Sequence, residues 1–280
     1  MEKNIENTQI EAFARYLKEE EKSKNTIEKY IRDVKSFVRY VNGMEISKET
    51  VIDYKNKLIS DNYAVRSVNS MIASLNSLFS FLNWTDCKVK FIKFQQEVYN
   101  PKERELTKQE YVRLIDAAKK RGNKRLSLII QTICGTGIRV SELKYITVEA
   151  VKKGEAIVSL KGKTRYVCIV NKLRKKLLAY ANEQNISKGT IFITRSGKTI
   201  SRSNIWRDMK KLCIQARVNP KKVFPHNLRR LFALTFYNME KDIAKLADIL
   251  GHNNINTTRI YVRTTFDEHC LRMEKLQLVI

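Results

Sequence analysis

Leu250-Gly251-His252-Asn253-Asn254-Ile255-Asn256-Thr257-Thr258-Arg259-Ile260-Tyr261 sets one histidine and one tyrosine on either side of a short polar turn. Two upstream stretches belong with it: His226-Asn227-Leu228-Arg229 and Gly135-Thr136-Gly137-Ile138-Arg139-Val140-Ser141-Glu142-Leu143. Between them they hold Arg139, Arg229, His226, His252 and Tyr261, in a chain with only 3 His. The set suits chemistry on a phosphodiester: cations for the phosphate oxygens, a proton carrier and an oxygen nucleophile.

The bulk composition agrees. The chain has 280 residues, a length typical of two domains, and 43% hydrophobic residues can support packed cores. Lys and Arg number 54 against 29 Asp and Glu, a formal net charge of +25. The basic residues run through both halves and not in one tail, which points to nucleic acid, where phosphate neutralisation supplies much of the affinity. The 5 cysteines, Cys87, Cys134, Cys168, Cys213 and Cys270, are odd in number and widely spaced, which argues against a disulfide framework and a zinc site. The start of the chain is polar, and no apolar run is long enough to span a bilayer, so a cytoplasmic location without membrane contact is expected.

The first part reads as four helices. Ile10, Phe13, Ala14 and Leu17 recur at helical spacing. Asn25 and Glu28 resemble a capping box ahead of a stripe from Ile27 to Val41, with Gly43 as the stop. Val51, Tyr54, Leu58 and Ile59 make a third helix, and Val65 to Leu82 a fourth. Periodicity then fails, and Gln95 to Glu105, with Pro101, is polar. This places a helical domain at 1–98, a linker at 99–106 and a second domain at 107–280. Thr107 and Glu110 form a capping box at the start of the second domain. Leu126 to Ile133 reads as helix, whereas Ala156 to Leu160 and Arg165 to Val170 read as strands joined by a turn at Lys161-Gly162-Lys163-Thr164. Further helices are expected at 171–184, 201–216, 226–239, 242–250 and 266–277. The expected fold class is mainly α with a small β-hairpin.

Taken singly, the site residues are ambiguous. Arg139 can offer a planar fork of donors to phosphate, but alone it reads first as a surface arginine paired with Glu142. His226 and Arg229 share a helical face behind Pro225, where backbone N–H groups favour an anion; a capping histidine beside a solvent-facing arginine reads equally well. Lys161 in the hairpin turn could donate a proton to an oxygen in the site, with Lys163 a competitor; both also read as ordinary turn lysines. Tyr261, one of 12 tyrosines, needs a base or a cationic pocket to act as nucleophile. The acids do not cluster as metal ligands, and Gly135-Thr136-Gly137 is too short for a phosphate loop of the Walker type.

Together, these residues resemble the tyrosine recombinase (phage integrase) family, of the Xer or mobile-element type. The resemblance is densest from Leu106 to Val262. Leu-Gly-His, then Thr-Thr, then Ile-Tyr is its most specific element; the first-arginine stretch, His226-Asn227-Leu228-Arg229 and the hairpin Lys161-Gly162 with Arg165 add to it. The N-terminal helices resemble the family's core-binding domain. The resemblance implies that Tyr261 attacks a DNA phosphate, giving a 3′-phosphotyrosyl enzyme and a free 5′-hydroxyl. It implies that Arg139, Arg229 and His252 hold the non-bridging oxygens, that Lys161 protonates the leaving oxygen, and that His226 exchanges a proton with Tyr261. No ATP, metal or other cofactor is needed.

Double-stranded DNA with inverted-repeat core sites, a homotetramer on two duplexes and accessory proteins are the implied partners. A C-terminal helix with Phe266, Leu271, Met273, Leu276 and Leu278 would dock on a neighbouring subunit. Two departures stand out: Arg230 where a second histidine is common, and Cys168 where proline often ends the hairpin. One-residue shortening of the turn leaves Lys161 and Lys163 both open as general acid. A DNA-binding protein without catalysis and a relaxing topoisomerase with similar tyrosine chemistry are the competing readings.

Overall fold

A computed structural model describes residues 3–93, 105–160, 163–194, 196–262 and 266–277. The chain divides into two compact units, Met1–Gln96 and Glu97–Ile280.

Among the described residues, the α-helices of the first unit are α1 (Asn7–Glu19), α2 (Lys24–Val41), α3 (Lys48–Ser60) and α4 (Val65–Phe81). The apolar stripes meet in one core, where Phe13, Phe37, Leu75 and Phe79 are fully buried. Burying each such side chain contributes about 1.5–3 kcal/mol. Phe37 meets Phe79 edge-on at 6.1 Å, the geometry the ring quadrupoles favour. The expected cap at Asn25 is corrected: Ser23 is the N-cap, and its hydroxyl accepts the Thr26 N–H. Both residues are good caps, but only Ser23 has the extended backbone that turns its side chain onto the first helical amides. The helix ends at Val41, with Asn42 left-handed before Gly43.

The second unit opens with α5 (Lys108–Lys120), capped reciprocally by Thr107 and Glu110 as expected. Then follow α6 (Lys124–Thr136), a 3-10 turn over Val140–Tyr145, α7 (Val148–Lys153), β1 (Glu155–Leu160), β2 (Lys163–Cys168) and α8 (Asn171–Glu183). The remaining helices are α9 (Arg202–Ala216), α10 (Pro225–Glu240), α11 (Ile243–Leu250), α12 (Ile255–Arg259) and α13 (Phe266–Glu274). Arg139 caps the 3-10 turn, and that turn and the short α7 and α12 are too brief to show a period in the sequence. Ile129, Ile130 and Ile133 of α6 sit at the centre of the core, with Leu114, Leu177, Met209 and Leu228 packed in the same cluster.

β1 and β2 pair antiparallel, with Ile157 opposite Tyr166 and Val158 opposite Arg165. Alternation makes one face solvent-exposed through Ile157 and Tyr166, and buries Ala156, Val158 and Val167 on the other. Arg165 therefore projects from the buried face. Among the described residues, no helix is long and apolar enough to cross a membrane.

Candidate active site

Gly137 ends α6 in the left-handed conformation, with φ 66°. A Cβ there would stand 2.4 Å from the Phe232 ring, so both conformation and space demand glycine. The tight exit brings Arg139 to the start of the 3-10 turn. Its backbone N–H donates to Glu142 Oε2 at 2.7 Å and its Nη1 to Glu142 Oε1 at 2.9 Å. Its Nη2 reaches the Gly251 carbonyl at 3.3 Å, tying the first-arginine segment to the turn that carries His252.

Glu142 is fully buried. The surface pair expected from its spacing is corrected: Arg165 Nη2 also donates to its Oε2 at 2.7 Å, so one buried carboxylate serves two guanidiniums. A carboxylate taken out of water needs such partners, because its own desolvation costs several kcal/mol. Burial also lowers the Arg165 pKa, an effect that Glu142 opposes. Arg165 Nε donates to the Ile249 carbonyl at 3.3 Å. Its side chain lies so close to Gly251 (φ 65°) that a Cβ there would be 2.7 Å from Arg165 Cδ.

Arg229, on the second turn of α10, is only 2% exposed. Its Nη1 donates to the Gly137 carbonyl at 2.6 Å and its Nη2 to the Leu250 carbonyl at 2.7 Å. These are carbonyls at the C-terminal ends of α6 and α11, where the helix dipole favours a cation. Burial first, then Arg139, lower its pKa to about 10, so it keeps its charge at neutral pH.

His252 bridges the set. Nε2 lies 2.9 Å from Arg229 Nη2, and Nδ1 lies 2.9 Å from the Thr258 hydroxyl. Burial, then the charges of Arg229, Arg139 and Arg165, push its pKa down to about 4. The Tyr261 ring is buried against Ala233, Leu246 and Leu250. It lies between two imidazoles, 5.1 Å from His226 and 5.3 Å from His252 by ring centroids. His226, on the first turn of α10, is exposed, yet desolvation against the site and the charges of Arg229, Arg202, Arg230 and Arg139 lower its pKa. Burial first, and then the cations around them, thus favour the neutral form of both histidines.

Arg139, Arg165, His252, Thr164 and Asn254 line a pocket of about 740 Å³ in front of this cluster, and Glu142 and Asp248 are the acids among its described lining residues. Among the described residues, no group of three or more His, Cys, Asp or Glu could hold a metal ion. Arg139, His226, Arg229, His252 and Tyr261 are brought together in this structure. Lys161 and Gly162 lie outside the described residues; β2 begins at Lys163, paired with Leu160. Two contacts were not legible in the sequence, that of Glu142 with Arg165 and that of Thr258 with His252. Glu142 and Arg165 meet only once the hairpin folds back, and Thr258 looked like one of two equivalent threonines.

Residues 104–268, well over half of the chain, match the phage integrase family. The chain belongs to the phage integrase family. Residues 10–86 match that family's N-terminal SAM-like domain. The chain is 30% identical to the tyrosine recombinase XerA of Pyrococcus furiosus, over 94% of this chain and 92% of the relative. It is 26% identical to the tyrosine recombinase XerD of Halalkalibacterium halodurans, over 92% and 94%. Two solved structures share the phage integrase fold. XerH bound to its difH substrate has a TM-score of 0.70 at 17% identity, covering 96% of this chain and 84% of that one. A lambda integrase tetramer on a Holliday junction has a TM-score of 0.74 at 16% identity, covering 91% and 76%.

Proposed function

We propose that this protein is a site-specific DNA recombinase that cuts and rejoins DNA through a 3′-phosphotyrosyl intermediate. The observation that carries it is the placement of Tyr261 between His226 and His252, with Arg229 against His252 and Arg139 and Arg165 lining the pocket that His252 shares. The Tyr261 oxygen forms a bond to phosphorus as the bond to the 5′ oxygen breaks. His226 takes the phenolic proton, and Lys161 protonates the leaving 5′ oxygen. Arg139, Arg229 and His252 hold the non-bridging oxygens, where preorganised cations stabilise the developing charge. A 5′-hydroxyl from a second strand then attacks the phosphotyrosine and releases Tyr261. The phosphodiester bond energy is conserved, so the cycle needs no cofactor.

The partner is double-stranded DNA, held by a core-binding domain at 1–98 and the catalytic domain at 107–280, joined by a linker at 99–106. Inverted-repeat core sites, a homotetramer on two duplexes and a cytoplasmic setting complete the reading. The exposed Leu271, Met273 and Leu276 of the C-terminal segment fit a helix that docks on a neighbouring subunit. A nicked suicide duplex tests the function. The protein should form a covalent adduct that Tyr261→Phe abolishes while DNA binding persists; no Tyr261-dependent adduct on any bound duplex would sink the proposal. Joining two sites, as opposed to relaxing supercoils alone, separates recombinase from topoisomerase.

A further inference from the structure

The hydrogen bonds around His252 fix which of its nitrogens carries the proton. Arg229 can only donate, so at 2.9 Å its Nη2 requires a lone pair on His252 Nε2. A neutral ring with a lone pair on Nε2 bears its proton on Nδ1, and that N–H then donates to Thr258 Oγ1 at 2.9 Å. Thr258 is fully buried. Its carbonyl also accepts the Tyr261 N–H at 2.9 Å, so one residue contacts both the imidazole and the nucleophile's backbone. Thr257, its neighbour, lines the open pocket instead.

We infer that Thr258 is a positioning residue that keeps the Nδ1 proton of His252 in place, so that Nε2 is the nitrogen left to take up a second proton and donate it to a non-bridging oxygen of the reacting phosphate. The partner on one ring nitrogen sets what the other can do. Without the Thr258 oxygen, the Nδ1 proton would be buried with no acceptor, and the ring would exchange tautomers or turn away from Arg229. In the free protein Nε2 is parked on Arg229. A phosphate entering beside Arg229 brings negative charge that favours a proton on Nε2, and the new N–H then donates to a non-bridging oxygen while Nδ1–H stays on Thr258. The catalytic part of this role rests on the proposed recombinase activity; the tautomer itself does not.

Two readouts test it, on the full chain. With only 3 His, 15N-histidine labelling resolves His252 at neutral pH, with a His252→Gln variant to assign it. The unsubstituted protein should show a protonated Nδ1 and an unprotonated Nε2. Thr258→Val, close to isosteric, should move both nitrogens toward the averaged shifts of free histidine, and Thr258→Ser should restore them. Adduct formation on the nicked duplex should slow by roughly ten- to hundred-fold in Thr258→Val and recover in Thr258→Ser, less than the full value of a proton-transfer group. Thermal melts show whether each variant is folded, and the serine variant decides the matter if valine is not. A pure Nδ1–H tautomer persisting in Thr258→Val, or a changed tautomer with an unchanged adduct rate, overturns the inference. If the unsubstituted protein forms no adduct, the recombinase reading fails, and the 15N shifts still decide whether Thr258 sets the tautomer.

Discussion

Arg165 and Glu142, 23 residues apart in sequence, form an ion pair at 2.7 Å in which the carboxylate is completely buried. The pair locks the hairpin to the 3-10 turn. Removing Glu142 leaves a largely buried guanidinium without its counter-charge, and breaking such a pair from one side costs about 3–5 kcal/mol. Glu142→Ala should therefore lower stability by an amount in that range in urea unfolding. Glu142→Gln keeps the shape and some hydrogen bonds, and should cost less. Both should weaken the adduct-forming reaction, because Arg139 loses its anchor. A Glu142→Gln protein with full stability and full activity would show that the carboxylate's charge is dispensable.

Two glycines separate strain from crowding. Gly43 has φ 88° and nothing within 4 Å of where a Cβ would stand, so Gly43→Ala meets only the backbone penalty of about 1–2 kcal/mol. Gly137 has φ 66° and the Phe232 ring 2.4 Å from its missing Cβ. Gly137→Ala should add an overpacking cost of about 1–3 kcal/mol to the same penalty. The double substitution Gly137→Ala with Phe232→Ala should recover part of the crowding term and none of the strain. Equal losses for the two glycines in thermal unfolding would remove the steric argument.

Which parts were legible follows from locality. Tyr261, His252, His226, Arg229 and Arg139 lie in short segments whose spacing reports their own helix or turn, and histidine is scarce here. The helical stripes were legible because burial repeats with the helix: Ile10, Phe13 and Leu17 all reach the core. Arg165 was different. Its strand position could be read, but its carboxylate partner sits on another element and is set by the hairpin's folding back. The burial of Glu142 was hidden for the same reason: a glutamate three residues after an arginine looks the same in a solvated turn. Ser23 competed with Asn25 because two good caps lay within one turn, and backbone conformation decided between them.

The histidines make stability depend on pH. His252 titrates near 4 in the folded protein against about 6.5 unfolded. Between those values the unfolded chain binds the extra proton, so stability rises with pH across the window and is fully present above it. Acidification from pH 7 toward 4 should cost at most about 3 kcal/mol from this residue, and His226, shifted in the same direction, adds to it. Urea unfolding at a series of pH values should show that slope, and His252→Gln should flatten it. An unchanged slope in that variant would assign the acid sensitivity elsewhere.

The lysine assignment can be settled chemically. β1 ends at Leu160 and β2 begins at Lys163, its partner across the hairpin, and Arg165 of β2 is tied to the site through Glu142. If Lys161 delivers the proton to the 5′ leaving oxygen, Lys161→Ala should slow cleavage of an ordinary duplex by roughly 10²–10⁴-fold, the usual worth of a general acid. A substrate with sulfur at the 5′ bridging position needs little protonation to leave, so it should be cleaved by Lys161→Ala at close to the rate of the unsubstituted protein. Lys163→Ala should then behave as unsubstituted on both substrates. The reverse pattern, with sulfur rescuing Lys163→Ala, would move the general acid two residues along the chain. Failure of sulfur to rescue either variant would mean that both lysines act by holding DNA, in which case their loss should instead weaken binding and reduce its salt dependence.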